Sequence, residues 1–417
     1  MGINIWLIQT WEPNPLDDPN GRPWRTGILA QRLAKRGHQV TWWASNFSHN
    51  LKRFRSNEQR HTIGENFEIR LIPALGYQKH LSPRRLRDHR YVADQFRKLA
   101  EVSPLPDVIV ASYPTIEICA QVSEFCENHK IPLLIDIRDQ YPDLYWENQT
   151  GLKSHAIRLL SFGMKRLAHK ALRGADAITA NGPEVVTWGL GYAGRAKNAL
   201  DRTLFMSYEK PALSPERLAI AKQQLEAKGV RFDRPIVAYT GMVGQTIDLE
   251  PVIAAAEIVG DQAWFVIGGA GDALEAWQSR SAHLPNLVFT NWLTSDEVAT
   301  LLSLSKIGLI PYRPAPNFER GITNKPVEYL ANGLTVLTSL QRGTLVDLIR
   351  EYQAGSSYAS GKELADQIVA GIAQPSSEAS LRLFNEKFHP DKVYGDWIEL
   401  IEEVASSSGA HDGNAAR

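Results

Sequence analysis

The chemistry most legible in the sequence lies in residues 323–333, TNKPVEYLANG. Thr323 and Asn324 suit a helix N-cap, and Pro326 falls in the first turn, where its missing N–H costs little. A helix starting there turns its partly positive end, with free N–H groups, toward whatever lies in front of it. Lys325 adds a full positive charge that can reach a phosphate. Glu328 lies three residues further on the same helical face and can accept hydrogen bonds from two neighbouring hydroxyls, such as those of a ribose. The plain alternative is an exposed Lys–Glu ion pair, which contributes little.

Two glycine-rich turns precede this segment. Residues 241–246, GMVGQT, end the apolar run PIVAYT. Gly241 and Gly244 let backbone amides approach a ligand closely, Gln245 stands beside them, and a helix beginning near Leu249 would point its positive end nearby. Such a pair of glycines serves equally well to reverse the chain. The second turn, GGAGDALEAW at 268–277, superficially resembles a dinucleotide fingerprint. Its spacing is wrong for one, and it does not follow the first strand, which sets dehydrogenase chemistry aside. Cys119 and Cys126 are the only cysteines. Their separation fits one face of a helix and no zinc or redox motif, so they read as buried thiols of a reduced protein.

These residues need elements to hold them. Short apolar runs at 4–9, 38–45, 67–73, 107–112, 132–138 and 176–181 alternate with amphipathic stretches, beginning with GILAQRLAKRG from Gly27. Strands this continuously apolar are covered on both faces, and the β–α–β alternation implies a parallel sheet. The pattern restarts with runs at 235–241, 263–269, 286–292, 307–312 and 334–339. Two α/β domains follow, expected over 1–205 and 206–389, with the boundary near residues 204–215. A closing helix is expected over 390–407, with Trp397 and Ile401 on one side, and a small, polar, disordered tail over 408–417.

Composition agrees with an ordinary globular chain. The 417 residues exceed what one core usually supports. Apolar residues make up 43% and charged residues 22%, which argues against a disordered chain. Lysine plus arginine balances aspartate plus glutamate at 46 each. That zero net charge argues against a nucleic-acid binder. No run approaches the roughly 20 apolar residues of a membrane span, and the N-terminus reads as a strand rather than a signal peptide.

At this point a resemblance becomes specific. TNKPVEYLANG resembles the donor-site helix of GT-B glycosyltransferases of the family 4 group. The upstream segments resemble the same group in the same order: the YTG strand end, VIGGAGD, then NWLTSDEVATLLSLSKIGLIPY. The likeness covers nearly the whole chain, with its strongest motifs in the second half. It implies two Rossmann-like, doubly wound parallel-sheet domains facing a cleft, with the final helix crossing back to the first. It implies a retaining enzyme that moves a sugar from a nucleoside-diphosphate donor to a hydroxyl of a glycan or lipid-linked acceptor. No metal or other cofactor is implied, because helix N-termini and Lys325 can neutralise the leaving diphosphate.

Carried onto this sequence, the resemblance assigns Lys325 to the diphosphate and Glu328 to the ribose. Thr323, Asn324, Gly241, Gly244 and Gln245 join them as donor contacts, and base recognition falls on backbone groups near 291–294. The basic residues usual after that glycine are missing, which moves phosphate charge onto Lys325, and onto Arg320 or a residue of the first domain. Arg320 also occupies the place of a glutamate found near the transferred sugar in many relatives, so either the adjacent Glu319 is the catalytic carboxylate or the sugar is held differently. In the first domain a histidine common in relatives is absent from ASYPTIEI, and the Arg138–Asp139 pair, with Asp136, becomes the catalytic candidate. A strand-end ion pair that fixes a loop is the plainer reading of that pair. Gly21, Arg22 and Arg25 of the first loop complete the set toward the donor phosphate or the acceptor.

The basic run Lys52, Arg53, Arg55, Arg60, Arg84, Arg85, Arg87 and Arg90 reads either as a solvated surface or as a peripheral contact for anionic lipid. Trp42 and Trp43 are either interfacial anchors or strand core. The expected location is cytoplasmic, with the inner membrane face as a place of action. Two rival readings share the architecture: a nucleotide-sugar epimerase, and a non-catalytic subunit that binds a sugar nucleotide.

Overall fold

The computed structural model describes residues 2–19, 21–79, 82–147, 149, 151–374 and 377–409. The chain forms two compact units, Met1–Leu204 with Tyr394–Arg417, and Phe205–Val393.

The first unit is built on strands β1 (Asn4–Ile8), β2 (Gln39–Ser45), β3 (Phe47–Ser48), β4 (Arg53–Phe54), β5 (Arg60–Gly64), β6 (Phe67–Ile72), β7 (Val108–Tyr113), β8 (Leu133–Ile137), β9 (Ala177–Ala180) and β10 (Arg202–Thr203). Its helices are α1 (Arg25–Lys35), α2 (Pro83–Glu101), α3 (Ile116–His129), α4 (Leu144–Glu147), α5 (Gly151–Leu160), α6 (Phe162–Arg173) and α7 (Pro183–Ala193). Among the described residues the main sheet runs β10-β9-β8-β7-β1-β2-β6-β5. Its ladders are parallel except the edge pair β5·β6, which is antiparallel. Every residue of β7 and β8 is buried, as a strand covered on both faces requires. Trp6 packs edge-on to Trp43 with ring centroids 5.0 Å apart and stacks on Phe125 at 5.8 Å. Trp42 and Trp43 are both core residues, and Trp42 Nε1 donates to the Gln9 carbonyl at 2.9 Å, so neither anchors at an interface.

The second unit carries β11 (Ile236–Thr240), β12 (Trp264–Gly268), β13 (Leu287–Asn291), β14 (Ile307–Ile310), β15 (Thr335–Thr338) and β16 (Gly355–Ser357). Around them lie α8 (Pro215–Ala227), α9 (Glu250–Val259), α10 (Leu274–Arg280), α11 (Ser295–Ser303), α12 (Pro316–Arg320), α13 (Asn324–Ala331), α14 (Thr344–Glu351), α15 (Gly361–Ile372) and α16 (Glu378–Leu383). The described sheet is parallel in the order β13-β12-β11-β14-β15-β16, the doubly wound arrangement. The chain reverses its direction of sheet growth between β11 and β14.

A final helix, α17 (Pro390–Gly409), spans the division between the units. From Tyr394 onward it belongs to the first. Trp397, Leu400, Ile401 and Val404 are buried, and Glu402 pairs with both Arg36 and His38 at 3.1 Å. The helix therefore runs through Ser408 and Gly409, where a disordered tail was expected to begin. The rest of that expected tail, 410–417, lies outside the described residues.

The apolar strand runs read from the sequence are all strands here. The short β3, β4, β5 and β10 were not expected, and neither was β16. Its residues, Gly-Ser-Ser, carry no apolar signal, and the glycine is needed because a Cβ on Gly355 would stand 1.9 Å from the Val336 carbonyl oxygen. The basic run is also not a uniform surface. Arg55 is buried in an ion pair with Asp17 at 2.7 Å, Lys52 lies over the Tyr77 ring, and Arg85 lies over Trp11.

Candidate functional site

In a doubly wound sheet, the loops leaving strand ends at the reversal point splay apart and leave a crevice. In the second unit those loops follow β11 and β14. The β11 loop is laced into its neighbour. Gly241 N–H donates to the Gly268 carbonyl at 2.7 Å, Val243 N–H to Ala270 at 3.0 Å, and Ala273 N–H back to Val243 at 3.1 Å. Only glycine fits this seam at two points: a Cβ on Gly269 would meet the Gly241 carbonyl oxygen at 1.8 Å, and one on Gly271 the Val243 oxygen at 2.3 Å. The loop after β13 joins through Gly269 N–H to the Asn291 carbonyl at 2.7 Å.

From the other side of the reversal point comes α13. Tyr329 of this helix fixes its position: its hydroxyl accepts from Thr240 N–H at 3.0 Å, at the last residue of β11. The ring fits only because residue 308 on β14 is glycine, since a Cβ there would stand 2.3 Å from Tyr329 Cδ2. The N-terminus of α13 is thereby held beside the β11 loop. Thr323 occupies the N-cap position in extended conformation, but its side chain does not cap the helix. Instead its hydroxyl shares a hydrogen bond of 3.1 Å with the Tyr312 hydroxyl, and Tyr312 stacks on Phe318 at 4.2 Å. The α13 amides are left uncapped by Thr323.

Lys325 then lies directly on Gly241. A Cβ at Gly241 would stand 1.9 Å from Lys325 Cε and 2.3 Å from Nζ, and the Gly241 φ of +145° is itself one that side chains rarely adopt. The lysine is half-buried. Burial pushes its ammonium pKa down from the ordinary value, and the charge of Glu328 opposes that shift. A cation held partly desolvated beside free helix amides is a preorganised anion site.

Gly244 is buried, and a Cβ on it would lie 3.3 Å from Asp272 Oδ1, while Gln245 is exposed beside it. Asn324 is exposed as the first residue of α13. Glu319 is paired with Arg342, Nη2 to Oε2, at 3.0 Å. The Arg320 carbonyl accepts from Thr344 Oγ1 at 3.1 Å. Both therefore sit on α12 against the start of α14, where a Cβ on Gly343 would strike the Glu319 carbonyl oxygen at 2.1 Å. Near 291–294, Asn291 adopts a φ of +58°, Trp292 is exposed, and the Trp292 carbonyl accepts from Lys228 Nζ at 3.1 Å.

In the first unit the strand ends carry a buried polar network. Glu12 accepts from the N–H groups of Thr26 at 2.8 Å and Gly27 at 3.2 Å, placing a carboxylate at the positive end of α1. Arg138 donates to Glu12 at 2.7 Å, to Thr26 Oγ1 at 2.8 Å and to Asp136 at 3.3 Å. Burial lowers the Arg138 pKa, but the carboxylates of Glu12 and Asp136 outweigh it and hold the charge more firmly than usual. Arg25, expected among the donor contacts, is instead committed inside this unit. It is 7% exposed, bonds Asp136 at 3.0 Å and the Leu204 carbonyl at 2.9 Å, and lies over the Trp397 ring at 5.1 Å. Gly21 is a turn residue whose N–H donates to Asp18 at 3.1 Å. Asp139 follows β8 and stays exposed.

The same edge of the first sheet holds a cavity of about 430 Å³. It lies at that sheet's own reversal point, where the loops after β1 and β7 diverge, and Thr10 and Thr115 from those loops meet at 3.4 Å. Trp11, Arg85, His89, Glu117, Tyr141 and Tyr145 are among its lining residues. Arg85 lies over Trp11 at 4.7 Å, and His89 faces Glu117 at 3.5 Å. Burial raises the Glu117 carboxyl, but the hydrogen bond and charge of His89 outweigh it and hold the group below the usual range. The sequence reading missed this lining, because its residues come from five stretches far apart in the chain. The one available signal was Arg85 within the basic run.

Residues 234–374 match the family described as Glycosyl transferases group 1. The matched segment lies within the second unit. Sucrose-phosphate synthase from Thermosynechococcus elongatus superposes with a TM-score of 0.71 at 15% identity, over 97% of this chain and all of that one. Anabaena Alr3699/HepE in complex with UDP-glucose gives 0.64 at 14% identity, over 97% and 100%. WaaG, a glycosyltransferase involved in lipopolysaccharide biosynthesis, gives 0.61 at 14%, over 96% and 99%. No curated protein sequence matches significantly. The chain is thus a glycosyltransferase of the GT-B fold, and its segment 234–374, which matches the group 1 family, holds the reversal-point crevice of the second unit.

Proposed function

We propose that this glycosyltransferase transfers a sugar, with retention of anomeric configuration, from a nucleoside-diphosphate donor to a hydroxyl of a glycan or lipid-linked saccharide. The observation that carries the donor assignment is Lys325 seated on Gly241 beside the uncapped N-terminus of α13. That corner offers an ammonium and backbone amides to a diphosphate, with Glu328 one turn on for the ribose diol. In the transfer, the bond from the sugar C1 to the diphosphate oxygen breaks and a bond to the acceptor oxygen forms. The acceptor proton is released and the diphosphate leaves with its added charge on Lys325 and the helix amides. The HepE complex with UDP-glucose, a protein of the same fold, supports a nucleotide-sugar donor. The cavity of the first unit suits the acceptor, with Trp11, Tyr141 and Tyr145 as faces for a saccharide ring and Arg85 for an acidic group. Glu319 in the second unit and Asp139 in the first remain the candidate catalytic carboxylates, with Arg138 a positioning residue. A nucleotide sugar donor makes the cytoplasm, or the inner face of a membrane, the place of action.

Titration calorimetry with UDP, ADP and GDP and their sugar conjugates tests the donor site. Lys325→Ala should weaken diphosphate binding about 10–100-fold, the loss expected for one charge-assisted contact. Glu328→Ala should abolish the preference for a ribose over a 2′-deoxyribose nucleotide. Binding that survives both substitutions unchanged would refute the site.

A further inference from the structure

The helix α5 buries none of its side chains, which is unusual for a segment reading GLKSHAIRLL. Leu152, Leu159 and Leu160 are 90%, 77% and 85% exposed, and Phe162 at the start of α6 is 61% exposed. Leu152, Ala156, Leu159 and Leu160 follow the i, i+4, i+7, i+8 spacing of one helix face. The opposite side holds the helix to the unit: Ser154 Oγ donates to the Trp146 carbonyl at 2.9 Å, and Ile157 is half-buried. The apolar face is therefore directed to solvent by the way the helix is attached. Exposed apolar residues that stand singly need no explanation, but a contiguous helix face does.

Charge identifies what covers it. Between Glu147 and Asp176 the sequence has no acidic residue and six basic ones: Lys153, Arg158, Lys165, Arg166, Lys170 and Arg173. Lys170 and Arg173 pair with Glu124 and Glu127 of α3. Among the described residues, Lys153, Arg158 and Arg166 have no carboxylate within ion-pair distance. A helix with leucines on one face and unpaired cations on its flanks matches an anionic lipid surface, where the leucines enter the acyl boundary and the cations meet headgroups. A second copy of this chain would bring the same cations against each other.

We infer that α5 and the start of α6 form a membrane-docking surface for anionic lipid. This places membrane contact on α5 rather than on the basic run at 52–90, of which Arg55, Lys52 and Arg85 face inward while the other members are exposed. Met164 of α6 also lines the cavity of the first unit, so a docked helix brings that cavity close to the lipid headgroups.

The test is flotation of the full chain with phosphatidylcholine vesicles, with and without 30% phosphatidylglycerol, in the absence of any nucleotide or acceptor. It does not depend on the proposed reaction, so either can fail alone. Wild type should float with the anionic vesicles at least tenfold more than with the neutral ones, and less as salt is raised from 0.05 to 0.5 M, because screening shortens the reach of the cations. Leu152→Glu/Leu159→Glu/Leu160→Glu should lose at least tenfold of that binding while its melting temperature stays unchanged. A gentler variant guards against misfolding. Leu159→Cys can be labelled selectively with an environment-sensitive dye, because the two native cysteines are buried. Its emission should shift to the blue with anionic vesicles. Wild type left in the soluble fraction, a triple variant that floats as wild type does, an unshifted dye, or a wild-type dimer that the triple variant dissolves would each overturn the inference.

Discussion

At Lys325 two demands conflict. In the proposed donor site the residue must stay charged to hold a diphosphate, yet its position on Gly241 removes part of its water, and burial lowers its pKa below the ordinary 10.5. Glu328 offsets some of that shift without cancelling it. A bound diphosphate supplies the missing counter-charge, so binding and protonation are coupled. Below its folded-state pKa the lysine is charged and donor affinity is flat, and as pH rises through that pKa the ammonium is lost and affinity falls. The donor KM should therefore begin to climb below pH 10.5, earlier than an ordinary lysine would allow. Initial rates measured between pH 7 and pH 10 in wild type and Lys325→Ala check this: the climb should vanish in the variant. A wild-type KM that stays level across the range would contradict the assignment.

At the scale of elements, Tyr329 couples α13 to the end of β11, and Gly308 makes the room. Gly308→Ala forces the ring away from Thr240 N–H or strains β14. It should destabilise the second unit by about 1–3 kcal/mol, the usual cost of overpacking. The same variant should weaken diphosphate binding, because the helix that carries Lys325 loses its anchor. Calorimetric melting with and without UDP measures both effects, and Tyr329→Phe should reproduce the loss of anchoring without the clash. The parallel strands and α13 were legible in the sequence because their signals are local, namely continuous apolar runs and a Pro in the first helical turn. What was not legible depends on contacts between distant residues. Gly308 and Gly355 look like ordinary strand or loop glycines until the ring of Tyr329 and the carbonyl of Val336 are placed beside them. Thr323 has a capping residue's side chain, but Tyr312 engages its hydroxyl instead. Arg25 in a Pro- and Gly-rich loop reads as a ligand contact, whereas Asp136, Leu204 and Trp397, all far along the chain, enclose it.

Across the whole molecule, α17 returns the chain to the unit in which it began. Trp397 is the largest side chain this helix buries there, at 1% exposure, and it covers the guanidinium of Arg25. The Arg25–Asp136 pair depends on that cover, since both side chains are nearly inaccessible and their attraction is strong only while water is excluded. Trp397→Ala removes the ring from a closed core and should cost about 3–5 kcal/mol. The second unit has its own hydrophobic core, built from Tyr208 to Phe388 without any residue of α17 beyond Val393. The loss should therefore fall on the first unit alone. Differential scanning calorimetry should show one component of the transition moving to lower temperature by several degrees. The component that responds to added UDP should stay where it was. Hydrogen exchange gives the residue-level check: protection should fall in β1, β8 and α1 and persist in β11 and α13. A uniform loss of protection would mean that the two units unfold as one, and that the closing helix stabilises the second unit as well as the first.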